Sequence, residues 1–356
     1  MPLPYKRLLF ILLIFMALPH SIAAEFQSHV KIVVAHRGAS GYLPEHTMEA
    51  KVLAHAQGAD YIEQDVVMTR DDALIVLHDL TLDRVTDVAE RFPGRARDDG
   101  AYYVIDFTLA ELRQLQVSES PQALSRFPAG KSSFGIHTLS EEIELIQGLN
   151  HSTGREAGLY VEIKSPWFHH QEGKDAATAI LKMLKDYGYQ TMTDKVFLQT
   201  FDFNELVRIH DHLLPAMEMD IPLVQLIARN EWQETFALQA GEWQAYDYDW
   251  MHEAGGMAKL ATYANGIGPS LEMIVTVDSG PGDIHFTPLV ERAHAMGLQV
   301  HPYTFRRDPG RIPAYADGFE DLLRLFLDEA GVDGVFTDFP DLARHYLDHR
   351  LGNRQD

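Results

Sequence analysis

The chain has 356 residues, of which 46% are hydrophobic and 23% charged, and it contains no cysteine. This composition is typical of one large globular domain or two ordinary ones, and it excludes collagen, coiled-coil and disordered architectures. The absence of cysteine excludes disulfides, thiol nucleophiles and cysteine-ligated metal centres, so any metal must use oxygen or nitrogen ligands. The formal net charge of −22 argues against a nucleic-acid partner, because binding to a phosphate backbone needs a basic surface.

The N-terminal segment predicts export. Lys6 and Arg7 precede an uninterrupted apolar run of 11 residues, 8–18, and small residues follow it. This is the pattern of a secretory signal peptide, with cleavage after Ala23 or Ala24. The alternative is a membrane anchor, but a helix needs about 20 apolar residues to span a bilayer. We therefore predict an exported protein without a stable membrane anchor, located in a bacterial periplasm.

Short apolar runs alternate with helical patterns along the rest of the chain. The first run, 32–35, is predicted to be a buried strand, and a helix is predicted over 47–57. Two further helices, 176–184 and 319–330, have apolar faces of period 3.6 and glycine stops, and another is predicted to start near Gln171. The other predicted strands are 61–67, 73–77 (continuing or pairing with it), 159–163, 196–199, 222–227, 266–268, 298–301 and 334–337.

About eight strands that alternate with helices predict a (β/α)8 TIM barrel. The rival architecture, a doubly wound sheet, should carry a glycine-rich phosphate turn after its first strand. The tetrapeptide at 36–39 is not such a turn. Because a barrel typically needs about 250 residues, we expect insertions, with a small subdomain at about 82–135 and a second excursion at 241–256. The prediction is a signal peptide, 1–24, followed by a single barrel domain, 25–356.

Carboxylates recur at alternate positions of two predicted strands. Glu63 and Asp65 are two residues apart and therefore point to the same face of a strand, and Glu162 and Lys164 repeat this geometry. The three carboxylates make an all-oxygen set that suits Ca²⁺ or Mg²⁺ better than Zn²⁺. The alternative interpretation is two exposed strand faces with solvated acids, which the apolar neighbours on both strands disfavour.

His36 and His78 each directly follow a predicted strand. The active site of a TIM barrel lies at these carboxyl ends of the strands. Because histidine titrates near neutral pH, such a pair can divide the acid and base roles. Arg37 and Lys164 beside the carboxylates suggest an anionic ligand, since both side chains bind phosphate oxygens, although salt bridges to those acids are the alternative. The role of a third strand-end histidine, His301, stays open. The histidines interpreted as structural are His46, His55, His137, His151 and His294.

Several motifs together resemble those of the glycerophosphodiester phosphodiesterases, most closely the periplasmic bacterial branch. They run in the family's order from about Lys31 to Asp341, nearly the whole mature chain, and such an ordered set is specific where a single tripeptide would not be. The motifs are His36-Arg37-Gly38-Ala39, Pro44-Glu45-His46-Thr47, Glu63-x-Asp65, Thr69-Arg70-Asp71, Leu77-His78-Asp79, Glu162-Ile163-Lys164 and Gly334-Val335-Phe336-Thr337-Asp338-Phe339-Pro340-Asp341.

The resemblance implies a TIM barrel with a small insertion and a Ca²⁺-dependent hydrolase, with Mg²⁺ as the other cation to consider. It implies acid–base catalysis for His36 and His78, metal ligation for Glu63, Asp65 and Glu162, and phosphate contact for Arg37 and Lys164.

The resemblance also implies supporting roles. Glu45 lies in the family's Pro-Glu-Asn-Thr motif, where it supports the phosphate-binding arginine, and His46 stands here in place of the usual asparagine. Gln199 and Phe201 fall in a stretch that the family uses near the substrate. Tyr303 falls where many relatives carry tryptophan, which suggests an aromatic wall facing the glycerol.

The implied reaction is hydrolysis of a small glycerophosphodiester to sn-glycerol 3-phosphate and an alcohol, with His36 as base and His78 as acid. Direct attack by water and attack by the glycerol 2-hydroxyl through a cyclic phosphate both stay open. Two alternatives belong to other classes. The first is a related barrel phospholipase acting on lysolipid, which the acidic net charge disfavours. The second is a non-catalytic periplasmic binding or adhesion protein, which would not need both histidines and all three acids.

Overall fold

The computed structural model describes residues 31–119, 126–127 and 133–352, so the predicted signal peptide lies outside the described residues. The strands are β1 Ile32–Ala35, β2 Tyr61–Met68, β3 Leu74–Val76, β4 Gly158–Ile163, β5 Val196–Thr200, β6 Leu223–Leu226, β7 Phe236–Gln239, β8 Glu242–Ala245, β9 Gly266–Gly268, β10 Gln299–Val300 and β11 Gly334–Thr337. The helices are α1 Met48–Ala56, α2 Val88–Arg91, α3 Leu109–Leu112, α4 Leu139–Thr153, α5 Pro166–Gln171, α6 Ala176–Asp186, α7 Phe203–Arg208, α8 Leu214–Met217, α9 Gly256–Leu260, α10 Leu289–Ala295, α11 Phe319–Arg324 and α12 Pro340–Gly352.

The main sheet closes into a barrel. Within the described part of the chain, eight parallel strands follow one another in the order β10-β9-β6-β5-β4-β2-β1-β11, and β3 pairs antiparallel with β2. The two ends meet, because the Asp333 N–H donates to the Val300 carbonyl at 2.9 Å and the Phe336 N–H donates to the Pro302 carbonyl at 3.0 Å. A doubly wound sheet would keep two open edges. The predicted (β/α)8 barrel is therefore confirmed.

The barrel interior is layered. Successive side chains of a strand point to opposite faces, so every second residue faces inward. Near the start of the strands, the rings of Tyr160 and Phe197 stack with centroids 4.8 Å apart, and Phe336 packs edge-on against Tyr160 at the same distance. Two residues further along the same strands stand Glu162 and Gln199, both buried. The barrel thus has an apolar floor and a polar layer above it at the carboxyl ends of the strands.

Helices surround the barrel, and their boundaries follow local chemistry. The helix predicted over 47–57 is confirmed as α1, which begins where the Ala50 N–H donates to the Thr47 hydroxyl at 3.3 Å. The expected helix start near Gln171 is wrong, because α5 ends there. Pro166 opens α5, where its missing N–H costs no hydrogen bond. Among the described residues, no helix is both long and apolar enough to cross a bilayer.

The segment at about 82–135, which we predict as an insertion, has its own apolar cluster. Helices α2 and α3 fall in it, and its buried side chains pack against the β2–β3 hairpin rather than under the barrel helices. The cluster consists of Val67, Ile75, Leu77, Leu82, Val85, Val88, Tyr102, Val104, Phe107, Leu112, Leu115, Val117 and Ile136. The boundaries of the domain and of its insertion stay predictions.

His301, the histidine whose role the sequence leaves open, belongs to the barrel floor. Its Nδ1 lies 2.9 Å from the Tyr160 hydroxyl, and only 1% of the residue is exposed. Burial lowers the pKa of His301 from 6.5 to about 4. The folded protein therefore keeps the ring neutral at a pH where the unfolded chain takes up a proton. Because the unfolded state then binds more protons, the free energy of unfolding falls as the pH drops from 6.5 towards 4.

We expect the His301→Gln variant to lose part of this pH dependence. A pKa displaced from 6.5 to about 4 corresponds to roughly 3 kcal/mol, so the variant's free energy of unfolding should fall by up to that much less over the same pH range. Urea unfolding in EDTA at pH 7, 6, 5 and 4 measures it. Tyr160→Phe is the matched control, since it keeps the buried imidazole and should keep the slope. If the free energy of unfolding of His301→Gln depended on pH as steeply as that of the wild type, His301 would not be a source of this pH dependence.

Candidate active site

Three carboxylates meet in the polar layer. Glu63 and Asp65 lie two residues apart on β2, and the register of β2 with β4 pairs Asp65 with Glu162. Each side chain offers an oxygen that lies within 4.8 Å of those of the other two, and all three residues are buried. The alternative of solvated acids on exposed strand faces is therefore wrong, because both strands line the closed barrel.

The charges of these carboxylates are not balanced by the protein alone. Burial raises the pKa of Glu162 well above its usual range, against the opposing charge of Lys164. Burial and the charge of Asp65 also raise the pKa of Glu63. For Asp65, burial is outweighed by His46 and Lys164, which hold its pKa well below the usual range. Crowded acids of this kind favour a bound cation, because one must otherwise keep a proton.

The donor set fits a hard divalent cation. Carboxylate oxygens are the ligands that Ca²⁺ and Mg²⁺ prefer. Asp65 Oδ1 is buried and has no hydrogen-bond partner among the described residues, whereas Oδ2 of the same group lies 2.7 Å from His46 Nε2. One oxygen of the carboxylate is thus fixed by the protein and the other is left for a ligand.

In both predicted catalytic histidines, a carboxylate oxygen lies within hydrogen-bond distance of Nδ1. His36 Nδ1 lies 2.6 Å from Asp338 Oδ1, and His78 Nδ1 lies 2.5 Å from Asp79 Oδ1. In each ring Nε2 is therefore the nitrogen left for proton transfer. Burial and the charges of Arg37 and Lys164 lower the pKa of His78 to about 3, so its imidazole is neutral in the free protein.

Two carboxylates hold Arg37 in place. Its φ of 57° lies in the left-handed region, which costs a non-glycine residue roughly 1–3 kcal/mol and occurs mainly at functional sites. Its N–H donates to Glu63 Oε2 at 2.8 Å, and its Nη1 donates to Glu45 Oε1 at 2.9 Å. The predicted support of Arg37 by Glu45 therefore has a direct contact behind it. Lys164 Nζ lies 2.8 Å from Glu162 Oε1.

The remaining predicted site residues lie close by. Gln199 Nε2 donates to Glu63 Oε1 at 3.1 Å, so this side chain contacts one of the three clustered carboxylates. The rings of Phe201 and Tyr303 meet edge to face, with centroids 6.0 Å apart, and the Tyr303 hydroxyl donates to the Ile227 carbonyl at 2.7 Å. These two rings form one apolar wall.

A cavity of about 240 Å³ joins these groups, and the structure brings every predicted residue to it or against its walls. Its lining consists of His36, Arg37, Glu63, Asp65, His78, Glu162, Lys164, Phe201, Leu226, Trp232, Glu234, Tyr303, Thr304 and Phe336. Gln199 and Glu45 do not line the cavity but contact residues that do.

Sequence reasoning missed several contributors. Both Asp79 and Asp338 lie inside motifs that carry the resemblance. Asp79 directly follows His78 and Asp338 directly follows a predicted strand, and these positions were the available signal. Arg84 gave no signal, yet it donates to Asp79 Oδ2 at 2.5 Å and to both oxygens of Glu45 at 2.6 and 2.8 Å. It thereby links the partners of His78 and Arg37. Trp232 and Glu234 reach the cavity from the loop before the β7–β8 hairpin, which starts earlier than the predicted excursion at 241–256.

Comparisons with known proteins identify the family of the chain. The profile of the "Glycerophosphoryl diester phosphodiesterase family" matches residues 36–342. A glycerophosphodiester phosphodiesterase of Haemophilus influenzae is 52% identical over 89% of this chain and 90% of its own length, and one of Treponema pallidum is 45% identical over 94% and 95%. The solved structure of an Oleispira antarctica phosphodiesterase with the product sn-glycerol-3-phosphate is similar in fold, with a TM-score of 0.60 and 23% identity over 90% of this chain and 97% of that one. The chain therefore belongs to the glycerophosphoryl diester phosphodiesterase family.

Proposed function

We propose that the protein hydrolyses small glycerophosphodiesters to sn-glycerol 3-phosphate and an alcohol, with Ca²⁺ held by Glu63, Asp65 and Glu162. The observation that carries this proposal is the meeting of three buried carboxylates, two carboxylate-backed histidines and two cations in one cavity. A site that only bound its ligand would not need two histidines with their Nε2 atoms left for proton transfer. The product seen with the Oleispira antarctica relative is the one we propose here.

Negatively and positively charged side chains have different roles in binding the phosphoryl group. A divalent cation at the carboxylates would spread the negative charge of the phosphoryl oxygens. Arg37 and Lys164 bind the remaining oxygens and are fixed before the substrate arrives, so they stabilise charge that develops in the transition state. Glu45 holds the guanidinium of Arg37 in place.

Proton transfer falls to the two histidines, with His36 taking a proton from the attacking oxygen and His78 giving one to the leaving alcohol. The bound phosphodiester is an anion and neutralises Arg37 and Lys164, whose charges help to lower the pKa of His78 in the free protein. Bound substrate therefore opposes these two charges and acts in the direction that raises the pKa of His78, which favours the protonated ring needed for donation. Asp79 keeps the ring oriented through Nδ1.

The first experiment is release of glycerol 3-phosphate from glycerophosphocholine and glycerophosphoglycerol by the mature protein. We expect turnover of both, loss of activity with EDTA, and recovery when Ca²⁺ is added, because the donor set is all oxygen. Mg²⁺ in a parallel reaction tests the identity of the ion. Lysophosphatidylcholine serves as the control substrate for a lipase. Activity restricted to lysolipid, or none with any cation, would contradict the proposal.

We also propose export to the periplasm through the cleaved signal peptide. N-terminal sequencing of the protein recovered from that compartment should begin at Ala24 or Glu25, which correspond to the two cleavage positions. A start at the initiator methionine would contradict it.

A further inference from the structure

A fully buried ion pair lies behind the carboxylates of the site, and the proposed reaction does not use it. Lys51 of α1 and Glu142 of α4 are both 0% exposed, and Nζ lies 2.9 Å from Glu142 Oε1. Removing two charges from water is costly, and such a pair often contributes no more stability than apolar residues of the same size. Stability alone therefore does not explain why this ion pair lies next to the three carboxylates.

The ammonium group of Lys51 has three donors and three partners. Besides Glu142, Nζ donates to the main-chain carbonyl of Glu63 and lies 3.3 Å from His46 Nδ1. An ammonium group can only donate, so Nδ1 of His46 must be the acceptor. The ring proton of the neutral imidazole is then on Nε2, which lies 2.7 Å from Asp65 Oδ2 and donates to it.

The far end of this chain of contacts is equally well fixed. Glu142 Oε2 accepts from His137 Nε2 at 2.7 Å, and its Oε1 accepts from Gln64 Nε2 at 2.9 Å. The contacts therefore run without a gap from α4 through Lys51 and His46 to Asp65. At its end, Oδ2 of Asp65 is occupied, whereas the buried Oδ1 has no hydrogen-bond partner among the described residues.

We propose that Lys51 is a positioning residue for the cation site: it holds His46 in the tautomer that donates to Asp65 Oδ2 and so presents Oδ1 as the metal ligand. The inference rests on the proposed function, because it concerns the same three carboxylates. Partners that orient metal ligands typically account for about 10–100-fold in metal affinity. The competing explanation is that the ion pair only fixes α1 against α4.

Two variants separate these explanations. Lys51→Met/Glu142→Gln removes both charges together, so no unpaired charge stays buried and the fold is spared. We expect its apparent melting temperature in EDTA to stay near that of the wild type while calorimetric titration gives a Kd for Ca²⁺ at least about tenfold higher. Glu142→Gln alone leaves the buried Lys51 ammonium without its carboxylate, so its melting temperature in EDTA should fall. It keeps the contact from Lys51 to His46, and the folded protein should keep the Kd. A wild-type Kd in the double variant would overturn the inference.

A second measurement needs neither activity nor a bound metal. In ¹⁵N-labelled wild-type protein without metal, the side-chain spectrum of His46 should show a protonated Nε2 and an unprotonated Nδ1, with the signal assigned by its loss in His46→Gln. A proton on Nδ1 would overturn the inference even if the double variant failed to fold. If the wild type bound no Ca²⁺, the proposed metal site would fail and the role of Lys51 towards the cation would fail with it, whereas a proton on Nδ1 with Ca²⁺ still bound would overturn the inference alone.

Discussion

We expect replacement of His78 by alanine to lower kcat for glycerophosphocholine by about 10²–10⁴-fold, the contribution typical of a positioned acid or base. Its Nδ1 lies against Asp79, so Nε2 is the nitrogen that would deliver a proton to the leaving alcohol in the proposed reaction. His36→Ala should lose activity to a similar extent, because its Nδ1 is bound to Asp338 in the same way. Initial rates of glycerol 3-phosphate release over a range of substrate concentrations separate kcat from KM.

The two roles can be told apart by the leaving group. A glycerophosphodiester of p-nitrophenol needs little protonation of its leaving oxygen, so His78→Ala should lose much less activity on it, whereas His36→Ala should lose as much on either substrate. The opposite pattern would exchange the two roles. His210→Ala is the control, since this histidine is exposed and contacts Asp211. Turnover near the wild-type rate in both active-site variants would remove them from the mechanism.

The second large effect is expected from Glu162→Gln. The amide keeps the shape of the side chain but removes one of the three negative charges, so we expect Ca²⁺ affinity and activity each to fall by at least about 100-fold. Because a ligand that binds only the folded state stabilises it by about 2.7 kcal/mol at 100 times its Kd, wild-type protein should melt at a higher temperature when Ca²⁺ is added. This increase should disappear in the variant.

The matched control for that variant is Glu234→Gln. Glu234 lines the same cavity but lies outside the carboxylate group, so removing its charge tests whether negative charge in the cavity is enough. We expect this variant to keep the Ca²⁺-induced increase in melting temperature. Equal losses in the two variants would show that the cation is attracted by the cavity as a whole rather than held by three ligands.

Much of the site could be predicted because a barrel converts sequence position into spatial position. A residue at the end of a parallel strand must lie at the mouth of the barrel. Alternation along β2 was enough to place Glu63 and Asp65 together, and the register of β2 with β4 adds Glu162. The resemblance, rather than strand geometry, supplied the predictions for Glu45, Gln199, Phe201 and Tyr303. Of these, Glu45 contacts Arg37 directly.

What could not be predicted depends on contacts between distant segments. Arg84 is 39 residues from Glu45 in the chain, and Glu142 is 78 residues from Gln64, so no local pattern shows either pair. The role of Lys51 was hidden for a different reason. It is a lysine on a short helix, where an exposed side chain is the ordinary expectation. Only the packing of α1 shows that Lys51 is buried together with Ala50, Ala54 and His55.

Arg84 connects the active site to the segment that we predict as an insertion, so this segment matters to how far the barrel could be shortened. Arg84 stands at the start of the segment that we predict as an insertion, and its one guanidinium binds both the carboxylate behind His78 and the carboxylate behind Arg37. A shortened chain that kept His78 and Asp79 and ran from there directly into α4 would retain every residue of the proposed catalytic and metal-binding groups but would lack the contacts of Arg84. A minimal barrel designed without this segment would need a guanidinium from another loop to bind both carboxylates. A smaller natural barrel would need an equivalent contact.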